Sequence, residues 1–158
     1  MRPLIDVDNL SYSKEKLIYY SQTIIYTRFL IALLFLIYAF YLLTLKDGHI
    51  GLLLIVPLII LLVYRPIKLI KKINEIQFRI NSEGIQYRNE KLVSWRNIEN
   101  ERVHTVKAGK STTDFLIYYI IDQDKVINCN INDLNTDAEE LRHTLKIHRN
   151  RYLRENNI

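Results

Sequence analysis

Two long uncharged runs, separated by only a few residues, constrain this chain more than any other feature of its sequence. No residue of 29–45 or of 48–64 is charged, and most are large and apolar. A helix needs about 20 apolar residues to cross the core of a bilayer, and flanking arginine and lysine side chains can extend each run by reaching the headgroups. A soluble domain of this size could not enclose two such helices. The sequence therefore predicts transmembrane helices over 24–45 and 49–68.

The connection between the runs, 46–49, is short enough to make the two helices antiparallel neighbours with both chain termini on one side. It contains one lysine and one aspartate, whose charges cancel. Basic residues are concentrated at the outer ends of the pair: Arg2, Lys14, Lys16, Arg28, Arg65, Lys68, Lys71 and Lys72. Positively charged ends stay on the cytoplasmic side, so both termini are predicted to be cytoplasmic.

The composition fits a membrane location better than nucleic-acid binding. The net charge is +5, but the basic residues lie beside the apolar runs, where anionic lipids attract them. No ionisable residue lies at the middle of either run, which argues against an ion pathway. The single cysteine, Cys129, excludes an internal disulfide and is typical of a reducing compartment.

Three regions are predicted along the chain. Residues 1–23 form a cytoplasmic N-terminal segment, residues 24–70 the transmembrane hairpin, and residues 71–158 a cytoplasmic domain. Within 11–27, isoleucine and leucine mix with tyrosine and polar residues. This mixture favours an interfacial helix that leads into the first span.

After the hairpin the spacing of hydrophobic residues changes from that typical of a helix to the alternation typical of strands. Residues 76–80 and 85–87 alternate apolar with polar side chains, with turn chemistry between them that includes Gly84, which is free to adopt positive φ. Further strands are predicted over 92–95, 98–106, 115–121 and 126–131. The last of these places Ile127, Cys129 and Ile131 on one face.

The C-terminal part is predicted to be an amphipathic helix. Thr136 and Glu139 have the spacing of a capping box. One face of the helix carries Ala138, Leu141, Leu145, His148 and Tyr152. The predicted fold class is therefore α+β: a two-helix transmembrane hairpin followed by an antiparallel β roll or barrel that a C-terminal helix caps.

The pattern I-x-F-x-I-x-x-x-G-I-x-Y over Ile76–Tyr87 and the segment V-S-W-R-N-I over Val93–Ile98, after two predicted spans, resemble the bacterial pleckstrin-homology-like (PH-like) membrane proteins. The resemblance implies a PH-like barrel capped by a helix, in the inner (plasma) membrane of a bacterium. Some similar small membrane proteins protect bacteria against toxins or bacteriocins. No ligand-binding motif of the family is carried over to residues of this chain.

No catalytic, metal or cofactor site is predicted. Gly109-Lys110-Ser111 resembles the end of a phosphate-binding loop, but His104 stands where the first glycine belongs and a strand follows, so a hairpin turn is predicted. Cys129 is interpreted as a small packed residue rather than a nucleophile. The four histidines lack a metal-binding spacing and are expected at surfaces or interfaces: His49, His104, His143 and His148.

Two groups of residues are candidates for binding. Trp95 and Arg96 could contact a partner, although core packing is the alternative for the tryptophan. A basic set could contact the membrane surface, where each cation contributes about 1 kcal/mol, with an ordinary solvated helix face as the alternative. The basic set is Lys71, Lys72, Arg142, Lys146, Arg149, Arg151 and Arg154.

These observations predict a non-enzymatic, membrane-anchored binding module that engages a protein or lipid at the cytoplasmic surface. Immunity against a toxin or bacteriocin is one form of this role that the resemblance implies. The alternative is a structural subunit of a larger membrane complex. The expected partners are membrane lipids and a protein, with no nucleic acid and no cofactor, and self-association is compatible with the sequence.

Overall fold

The structure is a computed structural model that describes residues 14–44, 48–109 and 111–156. The chain divides into two compact units. One unit is helical and comprises Tyr20–Asn74. The other combines Met1–Tyr19 with Glu75–Ile158 and contains the sheets. The predicted connection between the helices lies largely at 45–47, outside the described residues, as does Lys110.

The helical unit contains two helices, α1 (Gln22–Leu43) and α2 (Gly48–Ile70), which contact each other. Helices therefore form over both predicted runs. The hydroxyl of Ser21 caps the start of α1 by accepting from the backbone N–H of Ile24 at 3.5 Å.

The β unit begins with a four-stranded antiparallel sheet in the order β1-β2-β3-β4. A 3₁₀ turn over Trp95–Asn97 follows the last strand. The strands are β1 (Glu15–Ile18), β2 (Phe78–Asn81), β3 (Gly84–Tyr87) and β4 (Val93–Ser94). The predicted hairpin of 76–87 is confirmed.

A three-stranded antiparallel sheet in the order β5-β6-β7 completes the β unit, and helix α3 (Ala138–Glu155) follows it. The strands are β5 (Ile98–Ala108), β6 (Ser111–Ile120) and β7 (Lys125–Asn130). The predicted α+β class and the C-terminal helix are confirmed. Ala108 pairs with Ser111 and Gly109 has φ +61°, which confirms a hairpin turn rather than a phosphate-binding loop at this point.

The predicted interfacial helix over 11–27 is wrong for its described first part. Residues 15–18 form strand β1, and α1 begins only at Gln22. Ile18 lies opposite Phe78, and its side chain is completely buried. Lys16 also forms an ion pair with Glu140 of α3 at 2.7 Å. Cross-strand pairing with a segment far along the chain thus decides the conformation here, over the local helical tendency.

The predicted role of Gly84 is also corrected. Its backbone does not adopt positive φ, and among the described glycines only Gly109 does. A Cβ atom at position 84 would lie 1.9 Å from the carbonyl oxygen of Val93. Glycine is required here because strand β4 approaches the backbone of β3 closely.

The predicted capping box is displaced by one residue. The N-cap of α3 is Asp137, whose carboxylate accepts from the backbone N–H of Glu140 at 2.8 Å. Thr136 instead hydrogen-bonds the carboxylate of Glu140 at 3.1 Å. Aspartate and threonine are both favourable N-cap residues. Because Thr136 and Asp137 are adjacent, the sequence leaves the start of the helix ambiguous by one position.

The core of the β unit lies between the sheets and the inner face of α3. Of the predicted face of α3, Leu141, Leu145 and His148 are buried. His148, which the sequence placed on this face but also among histidines expected at surfaces or interfaces, is wholly buried. The strand side of the core is formed by Ile18, Phe78, Ile80, Ile85, Trp95, Ile98, Leu116, Tyr118, Ile120, Ile127 and Ile131.

Candidate functional site

A groove of about 320 Å³ lies between strand β5 and helix α3. We call it the β5–α3 groove. Glu101, Arg102 and Val103 line it from the strand. Arg142, Leu145, Lys146, Arg149 and Asn150 line it from the helix. Four cations and one carboxylate therefore surround this groove.

A bulge in β5 sets the strand side of the groove. Residues 100 and 101 together face one residue of β6, because the register shifts between Glu99 and Arg102, and Asn100 adopts φ +55°. Strict alternation would put Ile98 and Val103 on opposite faces, since they are five positions apart. The extra residue turns both side chains into the core and leaves Arg102 exposed beside the groove.

Arg142 joins the first turns of α3 to the outer edge of β5 through hydrogen bonds. Its Nη2 donates to the carbonyl oxygen of Val103 and to the hydroxyl of Thr105, both at 3.3 Å. Strand β5 is the edge of its sheet, with β6 as its neighbour. The arginine thus satisfies a backbone carbonyl that an edge strand leaves open.

Arg149, two turns later on α3, also donates hydrogen bonds to backbone carbonyl oxygens of the β unit. Its Nη1 donates to the carbonyl oxygens of Trp95 at 3.0 Å and Ile98 at 3.1 Å. The same nitrogen lies 3.6 Å from the carboxylate of Glu101. Arg142 and Arg149, which the sequence predicted at the membrane surface, therefore have structural contacts within the β unit.

Arg102 and Lys146 differ from these two arginines. Both are exposed, and within the described residues neither has a hydrogen bond or an ion pair. Between the cations, Val103 and Leu145 form an apolar floor and retain only 7% and 4% of their accessible surface. The groove therefore offers two uncompensated positive charges, whereas its apolar floor is already covered.

The remaining predicted site residues are not brought into this groove. Arg151 is half-buried, and Arg154 is exposed near the end of α3. Lys71 and Lys72 are exposed and belong to the helical unit. The structure brings together Arg142, Lys146 and Arg149 of the predicted basic set.

Trp95 packs in the core of the β unit, which was the alternative to a partner contact. Its side chain is completely buried, and its Nε1 donates to the carbonyl oxygen of Asn81 at 2.8 Å. No surface of the indole is left for a partner. Arg96, the other residue of the predicted contact, is exposed.

Other candidate groups do not form a site in the described part of the chain. No cluster of three or more histidine, cysteine or acidic residues there could hold a metal ion. Burial raises the pKa of the Cys129 thiol, which favours its protonated form. Burial, followed by the nearby charge of Arg151, lowers the pKa of His148 to about 4.

Helix α1 exposes apolar side chains around most of its circumference. In the described part of the chain it alone, over Gln22–Leu42, is long and apolar enough to cross a membrane by length and composition. Ala32 and Ala39 are buried, at 3% and 8% exposure. The exposed apolar side chains include Tyr26, Leu30, Leu33, Leu34, Ile37, Tyr38, Phe40 and Tyr41.

Comparison of the chain with protein-family models, with curated proteins and with solved structures finds no match.

Proposed function

We propose that this protein is a membrane-anchored binding module, in which α1 and α2 cross the membrane as a hairpin and the β unit binds a partner at the cytoplasmic surface. The observation that carries the proposal is the pairing of β1 with β2. The chain leaves the sheet after Ile18 and returns to it at Gln77, whose backbone N–H donates to the carbonyl oxygen of Ile18 at 2.8 Å. The helical unit is thus an insertion between two adjacent strands.

Adjacent entry and exit points restrict the number of membrane crossings. Both ends of the insertion belong to one folded sheet, so they lie on one side of any membrane. If α1 crosses the membrane, the chain must cross again before it reaches β2. Helix α2 has 23 residues, which at 1.5 Å per residue is about 35 Å and sufficient for a second crossing.

The surface of α1 supports its insertion into lipid. Its large exposed side chains are those of leucine, isoleucine, phenylalanine and tyrosine, and Ile25, Ala32 and Ala39, spaced seven residues apart, form one buried stripe. Exposed apolar surface of this extent is unfavourable in water, at about 25 cal/mol per Å². Small residues at a helix–helix contact and large apolar residues elsewhere are typical of packing in membranes.

Basic residues favour a cytoplasmic location for the β unit. Arg28 lies near the start of α1, whereas Lys68, Lys71 and Lys72 lie at or just beyond the end of α2. The ammonium group of Lys68 lies 4.7 Å from the ring centroid of Tyr64, a pairing suited to the headgroup region. The excess of positive charge at these ends places them on the cytoplasmic side in the proposal.

The PH-like assignment remains part of the proposal. Its support is a four-stranded and a three-stranded antiparallel sheet followed by a C-terminal helix, which agrees with the helix-capped barrel that the resemblance implies. Tethering such a unit to the bilayer raises its effective concentration toward membrane-associated partners. Immunity is the form of this role in which the partner is a toxin that acts at the membrane.

The topology is tested by labelling single cysteines with a membrane-impermeant maleimide. Cys129 is first replaced by serine, and a cysteine is then introduced at Asp47, between the helices, or at Glu155, near the end of α3. In spheroplasts of an expression host, we expect the cysteine at position 47 to react from outside. The cysteine at position 155 should react only after lysis.

Lysed spheroplasts provide the control, since both variants must label fully there. Equal labelling of both positions in intact spheroplasts would contradict the hairpin. Recovery of the full chain in the aqueous fraction without detergent would contradict the membrane anchor itself.

A further inference from the structure

The β5–α3 groove is bounded by helix α3 on one side and strand β5 on the other. Its helical wall extends from Arg142 to Asn150. Eight residue steps along a helix span about 12 Å. An extended peptide covers that distance with about four residues, because each residue of a strand advances by about 3.3 Å.

The chemistry of the groove selects an acidic occupant. Arg102 and Lys146 lie on opposite walls, exposed and without partners in the described part of the chain. Val103 and Leu145 between them are already buried, so the two cations provide the recognition. A segment with several carboxylates can contact the cations of both walls at once.

We propose that the β5–α3 groove binds an extended acidic segment of a partner protein, whose carboxylates contact Arg102 and Lys146. This inference rests on the proposed binding function and specifies the chemistry of the partner. Arg142 adds positive potential at one end of the groove while it holds α3 on β5, whereas Arg149 is paired with Glu101.

The groove also explains why a partner would approach here. Helix α3 flanks strand β5, and the hydrogen bonds of Arg142 and Arg149 to backbone carbonyl oxygens fix the two walls relative to each other. A preformed site avoids the cost of ordering side chains on binding. Both free cations lie at the rim, so they steer an acidic segment and set its register.

The test uses the full-length chain in a neutral detergent and an array of immobilised octapeptides. In one set glutamate alternates with leucine or valine, and in the matched set glutamine replaces every glutamate. We expect retention on the acidic set alone, which weakens as salt is raised. Changing Arg102→Glu together with Lys146→Glu should weaken retention by about tenfold or more.

The matched control is Lys91→Glu, a charge reversal at an exposed residue of the same unit outside the groove. It should leave retention unchanged. Equal retention of acidic and glutamine peptides would overturn the proposal, as would an equal loss in the Lys91→Glu variant. Circular dichroism of each variant verifies that it folds.

A second arm uses vesicles of phosphatidylglycerol, with phosphatidylcholine vesicles as the reference, and full-length chain exchanged from detergent into an amphipathic polymer. If the double variant loses phosphatidylglycerol binding and acidic peptides are not retained, the groove binds a lipid headgroup and the peptide proposal is wrong. Labelling of the hairpin is independent of both arms. If the chain labels as a hairpin but acidic peptides do not retain it, the proposal for the groove is wrong while the membrane anchor still holds.

Discussion

Arg149 lies against Trp95 in two ways. Its guanidinium carbon is 5.6 Å from the centroid of the indole ring, and its Nη1 donates to the tryptophan carbonyl oxygen at 3.0 Å. The charged group of helix α3 therefore holds the 3₁₀ turn that follows β4, next to the start of β5. Arg149, which the sequence suggested as a surface contact, therefore connects three elements of the β unit: helix α3, the 3₁₀ turn and strand β5.

Replacing Arg149 by methionine should destabilise the β unit. The change leaves the carbonyl oxygens of Trp95 and Ile98 without their donor, a single nitrogen that serves both, and a hydrogen bond that involves a charged group contributes about 1.5–3 kcal/mol. We expect a loss of about 2 kcal/mol in the free energy of unfolding. The fluorescence of Trp95, the single tryptophan and wholly buried, reports urea unfolding of the chain in micelles.

Lys146→Met is the matched control for this experiment, because Lys146 lies one turn earlier on α3 and has no hydrogen bond or ion pair within the described residues. Its effect should stay within about 0.5 kcal/mol. Equal urea midpoints for the Arg149→Met variant and the unchanged chain would show that the arginine does not support the fold.

The two described glycines with assigned roles should respond differently to alanine. At Gly84 the new Cβ would lie 1.9 Å from the carbonyl oxygen of Val93, so β3 and β4 must separate. At Gly109 nothing lies within 4 Å of the new atom, but φ is +61°. We expect Gly84→Ala to cost about 3 kcal/mol and Gly109→Ala about 1 kcal/mol.

Asparagine separates the steric cause from the conformational one. It tolerates positive φ better than alanine, so Gly109→Asn should recover part of the lost stability. Gly84→Asn should be at least as damaging as Gly84→Ala, because it is larger. The same urea midpoints measure all four variants, and a neutral Gly84→Ala would contradict the close approach of the strands.

Ala32 tests the contact between the two helices. It is 3% exposed, whereas the adjacent Leu33 is 53% exposed. Ala32→Phe inserts a ring where α1 contacts α2, and such overpacking costs about 1–3 kcal/mol. Thermal aggregation of the chain in micelles should begin at a lower temperature for Ala32→Phe. Leu33→Phe should leave it unchanged, and equal shifts in both variants would show that the alanine stripe is not a packing surface.

Much of the β unit could be predicted because its strands are local and alternate clearly. Phe78 and Ile80 fall on one face, and Ile85 follows across a short turn, as the sequence pattern requires. Strand β1 could not be found in this way. Its four residues give a weak alternation, and its partner β2 lies beyond the whole helical insertion.

The β5–α3 groove was predictable only on its helical side. The spacing of Arg142, Lys146 and Arg149 places them on neighbouring positions of one helix face. Arg102 comes from a strand whose facing depends on the bulge after Glu99, and no local residue pattern reveals that bulge. The hydrogen bonds of Arg142 and Arg149 to the β unit depend on the same packing of α3 against β5. The sequence alone could therefore not distinguish these two arginines from Lys146, which has no such bonds.

His148 makes the stability of the β unit depend on pH. Burial lowers the pKa of this histidine to about 4, whereas an unfolded chain gives it the ordinary value near 6.5. Between these two values the unfolded chain binds a proton that the folded chain does not. Stability is therefore complete above pH 6.5 and falls as the pH is lowered toward 4, by up to about 3 kcal/mol.

Urea unfolding followed through Trp95 fluorescence at pH 7.5, 6, 5 and 4.5 should show this loss. Carboxylates contribute to the same pH range, so the histidine's share is isolated by comparing variants. His148→Leu removes the titrating group from the core and should flatten the dependence of unfolding free energy on pH between 7 and 5. His143→Gln, a change outside the core on the same helix, should keep the original slope. Parallel curves for His148→Leu and the unchanged chain would mean that His148 is already solvated and protonated in the folded state.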